Sequence, residues 1–238
     1  MDVGPNWRSS QDILIFTMKI GIICEGHTDR AVIKNLVKGI TGIEYARCTA
    51  LRPEDDLDDT DLAHLNPNSF GSWTNVREEC NSRNKIGQFL SIEGQEWIII
   101  QLDTLQADDF GIQRPSKDEK YSTQLRALVI ATVNGWLGNE FVDHIAYAIA
   151  IEEIEAWLLT IFINSNSTSS AGPKAKLKSF LGRKKIDNTE NYNTYFKLSE
   201  PFAKAKNHQR NNYSRRNESL AMFCQELVAK MGNQIGSD

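Results

Sequence analysis

Four carboxylates in this 238-residue chain stand at positions suited to chemistry rather than solubility. Glu25 closes the apolar run "KIGIIC". Asp103 closes "EWIIIQLD", and Glu152 and Glu155 lie in "IEEIEAWLL". An apolar strand that ends on an acid presents that acid to the crevice beyond the strand ends, where open parallel sheets bind their ligands. Two such ends, distant in sequence, can meet there. Converging carboxylate oxygens are hard ligands suited to Mg2+ or Mn2+, whereas acids that merely cap strands or loops are the structural alternative.

Glu155 strengthens the metal reading. At 100° per residue, Ile151, Ile154, Leu158, Ile161 and Phe162 form one apolar arc of a helix, and Glu155 falls inside it. Glu152 lies at the border of that arc, while Glu153 points with Thr160 to water. A carboxylate on a core-facing side is costly unless a metal, a Lys or Arg, or backbone donors compensate it.

The elements that must position these acids follow from periodicity. Residues 18–24 and 96–102 are apolar on both faces, the pattern of strands inside a parallel sheet, and 44–51 and 144–149 are two further strands. Helices are expected over 28–38, with Thr28 as N-cap, and over 73–90, 120–137, 151–163 and 217–230. Residues 52–72 and 104–118 read as long loops, the second holding Asp108 and Asp109. The predicted fold is α/β, a Rossmann-like parallel sheet with flanking helices over 18–163. A loose leader, 1–17, precedes it, and a linker-like stretch, "NSNSTSSAGP", leads to a basic helical extension over 174–238.

Composition fits one soluble globular domain with a small addition, at 40% hydrophobic and 24% charged residues. The net charge of −4 conceals a division. Residues 171–238 carry 13 Lys and Arg against 6 Asp and Glu, so the body is acidic and the tail basic. Such a division suits a body that gathers cations and a tail that meets a polyanion; solvated helix faces are the plainer explanation. Four scattered cysteines without a CxxC pair exclude a zinc motif and fit a reducing, cytoplasmic setting. No run is long and apolar enough for a membrane span. The chain has no GxxxxGK[ST], GxGxxG or GxSxG motif, which argues against a P-loop ATPase, a dinucleotide enzyme and an α/β-hydrolase.

The order of "IGIICEGHTD", "IIIQLD" and "IEEIEAWLL" resembles the Toprim family, and most nearly its small stand-alone members in bacterial anti-phage defence, relatives of the OLD-type nucleases. The resemblance runs from about Met18 to Leu159, with a weaker echo at "NYNTYFKLSEPF". It implies a Mg2+-dependent nuclease that hydrolyses DNA or RNA phosphodiesters beside an ATPase partner. Glu25 is then a metal ligand or general base, Asp29 the second acid of its turn, Asp103 the first acid of Asp-x-Asp, and Glu155 the acid before Trp-Leu. Lys197 resembles a tail lysine that stabilises charge on the phosphate. The chain departs from the pattern at Leu105, where the second acid of Asp-x-Asp belongs; Asp108 or Asp109 would have to fold back to replace it.

In the tail, "AKAKNHQRNNYSRRN" interleaves Lys204, Lys206, Arg210, Arg215 and Arg216 with Tyr213, a composition suited to phosphate contacts and base stacking along a nucleic-acid strand. A basic surface loop is the alternative, with His208 as a solvated histidine. His27 could bond a phosphate or simply belong to its turn. Two other functions compete with the nuclease: a catalytically weak Toprim-like subunit that binds nucleic acid or a phage component, favoured by Leu105, and a phosphatase using Asp103 as covalent nucleophile, which leaves Glu25 without a task. A homo-oligomer is left open.

Overall fold

The structure, a computed structural model, describes residues 18–54, 73–168 and 171–232. The predicted leader and most of the 52–72 loop lie outside the described residues.

Strands β1 (Lys19–Ile23), β2 (Cys48–Arg52), β3 (Gln95–Asp103) and β4 (Ile145–Ala150) form one sheet, parallel throughout, in the order β2-β1-β3-β4. The continuous apolar runs are explained by cover on both faces. Ile20, Ile22 and Ile99 enter one hydrophobic cluster, whereas Ile23, Ile98, Ile100 and Leu102 enter another. Every residue of β4 is buried.

Helices α1 (His27–Thr41), α2 (Trp73–Ser82), α3 (Asn84–Leu90), α4 (Tyr121–Trp136), α5 (Glu155–Phe162), α6 (Pro173–Arg183), α7 (Tyr192–Ser199), α8 (Ala205–Asn211) and α9 (Glu218–Met231) supply that cover. The second cluster takes Trp73, Val76, Ile86, Leu125 and Val129 from α2, α3 and α4. On the opposite face α1 is joined by the C-terminal helices: Val32, Leu36, Leu177, Leu198, Phe223 and Leu227 share one core. The C-terminal helices are thus a layer of this sandwich, and Trp157 of α5 stacks on Phe223 of α9 with centroids 5.5 Å apart.

Chain direction explains where a site can form. From β1 the connection runs to β2 on one side, and the connection from β2 returns past β1 to β3 on the other. The carboxyl ends of β1 and β3 therefore flank the topological switch point of the sheet, the usual ligand crevice of such folds. Close packing holds α1 in place. A Cβ on Gly39 would lie 1.8 Å from the carbonyl oxygen of Phe202, so only glycine lets this helix lie against the 3-10 turn Glu200–Ala203. The helix then ends at Gly42, whose φ of 76° is the usual left-handed stop.

Local differences from the sequence expectations have tertiary causes. The N-cap of α1 is Gly26, not Thr28, and it carries no side-chain cap. β2 begins later than expected because a 3-10 turn, Tyr45–Arg47, precedes it. The loop after β3 is wound into a 3-10 segment, Thr104–Phe110. Helix α5 starts at Glu155, since 151–154 forms a turn with Glu152 at φ 66°. Bonds across the sheet end claim that turn: Glu152 N–H donates to Thr104 Oγ1 at 2.7 Å, and Leu105 N–H donates to the Glu152 carbonyl at 3.0 Å. Thr160, expected in water, is fully buried.

Among the described residues no helix is long and apolar enough to cross a membrane. All four cysteines are buried free thiols, and burial pushes Cys48, Cys80 and Cys224 up to about 12.

Candidate metal centre at the strand ends

Strand ends and helix starts bring four acids to the switch point. Glu25 follows β1 directly. Its N–H donates to Gln101 Oε1 at 3.1 Å, and the Gln101 amide in turn donates to Asp103 Oδ1 at 2.8 Å. Gln101, fully buried in β3, thereby ties the two strand ends together. The Asp103 N–H donates to Glu25 Oε1, the Ile154 N–H reaches Asp103 Oδ2 at 3.1 Å, and the Trp73 indole donates to the Asp103 carbonyl at 2.8 Å. Backbone donors thus orient both strand-end acids, and each carboxylate keeps lone pairs in reserve.

Asp29 and Glu155 stand in the first turns of α1 and α5, 8% and 6% exposed. Asp29 accepts from the backbone N–H of Gly26. That contact resembles the return bond of a capping box and suits an anion at a helix start. Glu155 accepts a hydrogen bond from the Tyr195 hydroxyl at 2.7 Å.

The electrostatics show how these groups act on one another. Burial raises Glu25 well above the usual carboxylate range and the Asp29 charge raises it further, against the Asp103 N–H and the Trp73 indole. Asp103 is likewise raised well above its ordinary value, by burial first and then by Asp29, Glu25 and Glu155. For Asp29, burial and the Glu155 charge lift it to about 7, opposed by N–H groups and Lys174. Burial raises Glu155 too, while the Tyr195 hydroxyl and Lys174 oppose the rise. Like charges crowded in a poorly solvated place favour either a proton or a cation. As placed, no three His, Cys, Asp or Glu among the described residues meet at metal-ligand spacing. The donor set nevertheless has the hard-oxygen chemistry of a Mg2+ or Mn2+ site.

Two acids expected here are held elsewhere. Asp108 Oδ2 lies 2.7 Å from Arg114 Nε, and Glu152 Oε1 lies 3.4 Å from Arg114 Nη1. Asp109 is exposed on the same 3-10 segment, and Leu105 is 53% exposed.

A different lysine lends its charge to these acids. Lys197 is exposed, and the acid that feels its charge is Asp187. Lys174, at the start of α6, is the lysine whose charge acts on Asp29 and Glu155; its Nζ pairs with Glu190 at 2.8 Å. Sequence reasoning missed Lys174, Gln101 and Tyr195. Only Gln101 carried a signal, as the amide inside "IIIQLD". Lys174 and Tyr195 reach the cluster through tertiary packing that no local pattern records.

The tail residues have unlike fates. Lys206, Arg210 and Arg215 are exposed, while exposed Lys204 pairs with Glu200 at 2.8 Å. Tyr213 is 3% exposed, its ring set edge-on to Phe202 and His208, so it offers no face for base stacking. Arg216 donates to the Thr160 carbonyl at 2.7 Å and so caps the end of α5. His208 is no solvated histidine: its Nε2 lies 2.6 Å from the Phe202 carbonyl, and burial lowers its proton affinity. His27 Nδ1 lies 3.2 Å from Arg30 Nη2. The basic segment meets α1 near Gly39, ten residues beyond Asp29, or about 15 Å along a helix rising 1.5 Å per residue.

No protein-family model, curated protein or solved structure matches this chain.

Proposed function

We propose that the chain is a Mg2+- or Mn2+-dependent nuclease whose divalent cation is held by Glu25, Asp29, Asp103 and Glu155. The observation that carries this reading is that the acids ending β1 and β3, Glu25 and Asp103, are bonded to one another's strand ends at the switch point of a parallel sheet, with the buried Asp29 and Glu155 in the adjoining helix starts. A bound divalent ion supplies charge neutralisation at the non-bridging oxygens of a phosphodiester and makes water more acidic. The protein's own part is positional. Gln101 and Trp73 fix the two strand ends, Glu25 at the mouth is a ligand or the base that accepts a proton from water, and Lys174 places positive charge beside the cluster. Phosphates reaching the site would find further cations at the exposed Lys206, Arg210 and Arg215.

The Toprim resemblance supports the same chemistry and adds a setting, anti-phage defence with an ATPase partner. A chain without a P-loop needs such a partner for any ATP-driven step. One observation favours a second reading. Leu105 stands exposed where the family pattern has its second acid, and Asp108 is spent on Arg114, which suits a catalytically weak binding subunit.

Incubation of purified protein with plasmid, linear DNA and tRNA, in Mg2+, Mn2+ or EDTA, decides between them. Cleavage is expected with either metal, absent in EDTA, and lowered about 100-fold or more in Glu25→Gln and Asp103→Asn. Cleavage that survives EDTA or both substitutions refutes the nuclease site; nucleic-acid binding without cleavage selects the binding subunit.

A further inference from the structure

Arg114 gathers the acids that a second cation would need. Its Nε meets Asp108 Oδ2 at 2.7 Å, and its Nη1 meets Tyr121 Oη at 3.1 Å and Glu152 Oε1 at 3.4 Å. Its Nη2 donates to the carbonyls of Thr104 and Leu105 at 2.7 and 3.0 Å. Those carbonyls belong to the residues directly after Asp103, and Glu152 lies in the turn whose Ile154 N–H bonds Asp103 Oδ2. The guanidinium is therefore anchored beside the strand end that carries a ligand. It is a charge that never titrates away.

The region next to Asp103 thus holds two differently furnished sets of acids. Glu25 and Asp103 are tied together at their strand ends beside the buried Asp29 and Glu155, burial raises all four, and Lys174 opposes the rise of Asp29 and Glu155. Glu152 and Asp108 are matched by Arg114, which is 22% exposed and pushed above its ordinary value by these partners. Position 105, on the same segment, is an exposed leucine and adds no carboxylate. Moving Arg114 aside would strip two carbonyls and two carboxylates of their shared donor, which costs hydrogen bonds to a charged group.

We propose that Arg114 takes the place of a second metal ion, so that this site binds one divalent cation rather than the pair, about 3.5–4 Å apart, that many phosphodiester-cleaving centres use. The inference rests on the metal-site reading above and deepens it. One cation goes to the four clustered acids, and the guanidinium permanently neutralises the other two. Leaving-group stabilisation by a second ion is then absent, and the site is expected to depend on a single metal-binding event.

Titration calorimetry with Mn2+, joined to the electron paramagnetic resonance of the bound ion, tests this without reference to activity. The wild-type protein should bind one Mn2+ per chain, with the spectrum of an isolated ion. Arg114→Gln should admit a second, weaker ion and show the exchange-coupled spectrum of a pair. Leu105→Asp, which adds a carboxylate but keeps Arg114, should still bind one, because the guanidinium still holds Asp108 and Glu152; this variant serves where Arg114→Gln does not fold. Two ions in the wild type, a second ion in Leu105→Asp, or a folded Arg114→Gln that stays at one would each overturn the assignment to Arg114. Zero ions in the folded wild type would instead refute the metal site itself.

Discussion

The acidic crevice and the basic segment 203–217 are two charged regions of this molecule, and they are built in opposite ways. In the crevice, acids are withdrawn from water, held by backbone donors and pushed to higher proton affinity by one another. In the segment, Lys206, Arg210 and Arg215 stand in solvent, while Tyr213 and Arg216 are absorbed into the core and a helix end. Buried acids crowded together are expensive and favour a proton or a cation, whereas exposed charge costs little and marks only a place where something can bind. Residue type alone does not separate the two.

The contrast can be broken most sharply at the crevice. Glu25→Gln or Asp103→Asn should lower metal-dependent cleavage by about 100-fold or more, the usual scale for removing one electrostatic element of a transition-state site. Single-turnover assays at saturating nucleic acid would check this, and less than a tenfold loss in both variants would contradict the assignment. At the tail, Tyr213→Ala should behave as a core truncation, costing about 3 kcal/mol of stability with the salt dependence of nucleic-acid binding unchanged. Urea unfolding beside a salt titration separates that result from a stacking role.

Much of this contrast was legible in the sequence, for identifiable reasons. Strands buried on both faces announce themselves as continuous apolar runs, so "KIGII" and "WIIIQL" predicted β1 and β3 with the acids at their ends. An apolar helix arc likewise exposed Glu155 as a misplaced charge. Partners, by contrast, come from anywhere in the chain. Arg114 holds Glu152 across 38 residues and Tyr195 reaches Glu155 across 40, so neither the loss of Glu152 from the cluster nor the role of Tyr195 could be read locally. The basic run misled for a related reason. Charge pattern reports composition, and burial of Tyr213 between Phe202 and His208 is set by packing.

Proton linkage sharpens the comparison further. The four crevice acids are raised in the folded state, so above the unfolded carboxylate value of about 4 the folded protein holds protons that the unfolded chain has released. Their contribution is fully present below that value and is lost as pH rises through the folded values, about 7 for Asp29. Each pKa unit of elevation corresponds to about 1.4 kcal/mol. Metal-free protein should therefore lose stability from pH 4 towards pH 7, and Asp29→Asn should flatten that slope in urea titrations. A slope unaltered by Asp29→Asn would show that its elevation plays no part.

The smallest effects belong to the exposed cations. Lys206→Ala, Arg210→Ala and Arg215→Ala should each weaken nucleic-acid binding modestly and reduce the slope of log affinity against log salt by about 1 where the side chain meets a phosphate. Fluorescence anisotropy over a salt series measures this, and unchanged slopes in all three would remove the segment from the interface.

The central claim, that four mutually repelling acids are poised for a divalent cation, is tested most directly by melting at pH 7.5 with and without millimolar Mg2+. Wild-type protein should melt higher with Mg2+. A protein carrying both Glu25→Gln and Asp103→Asn should melt above the wild type without metal, since repulsion is relieved, and should gain nothing from Mg2+. A double variant that melts below the metal-free wild type and still gains as much from Mg2+ would contradict the claim.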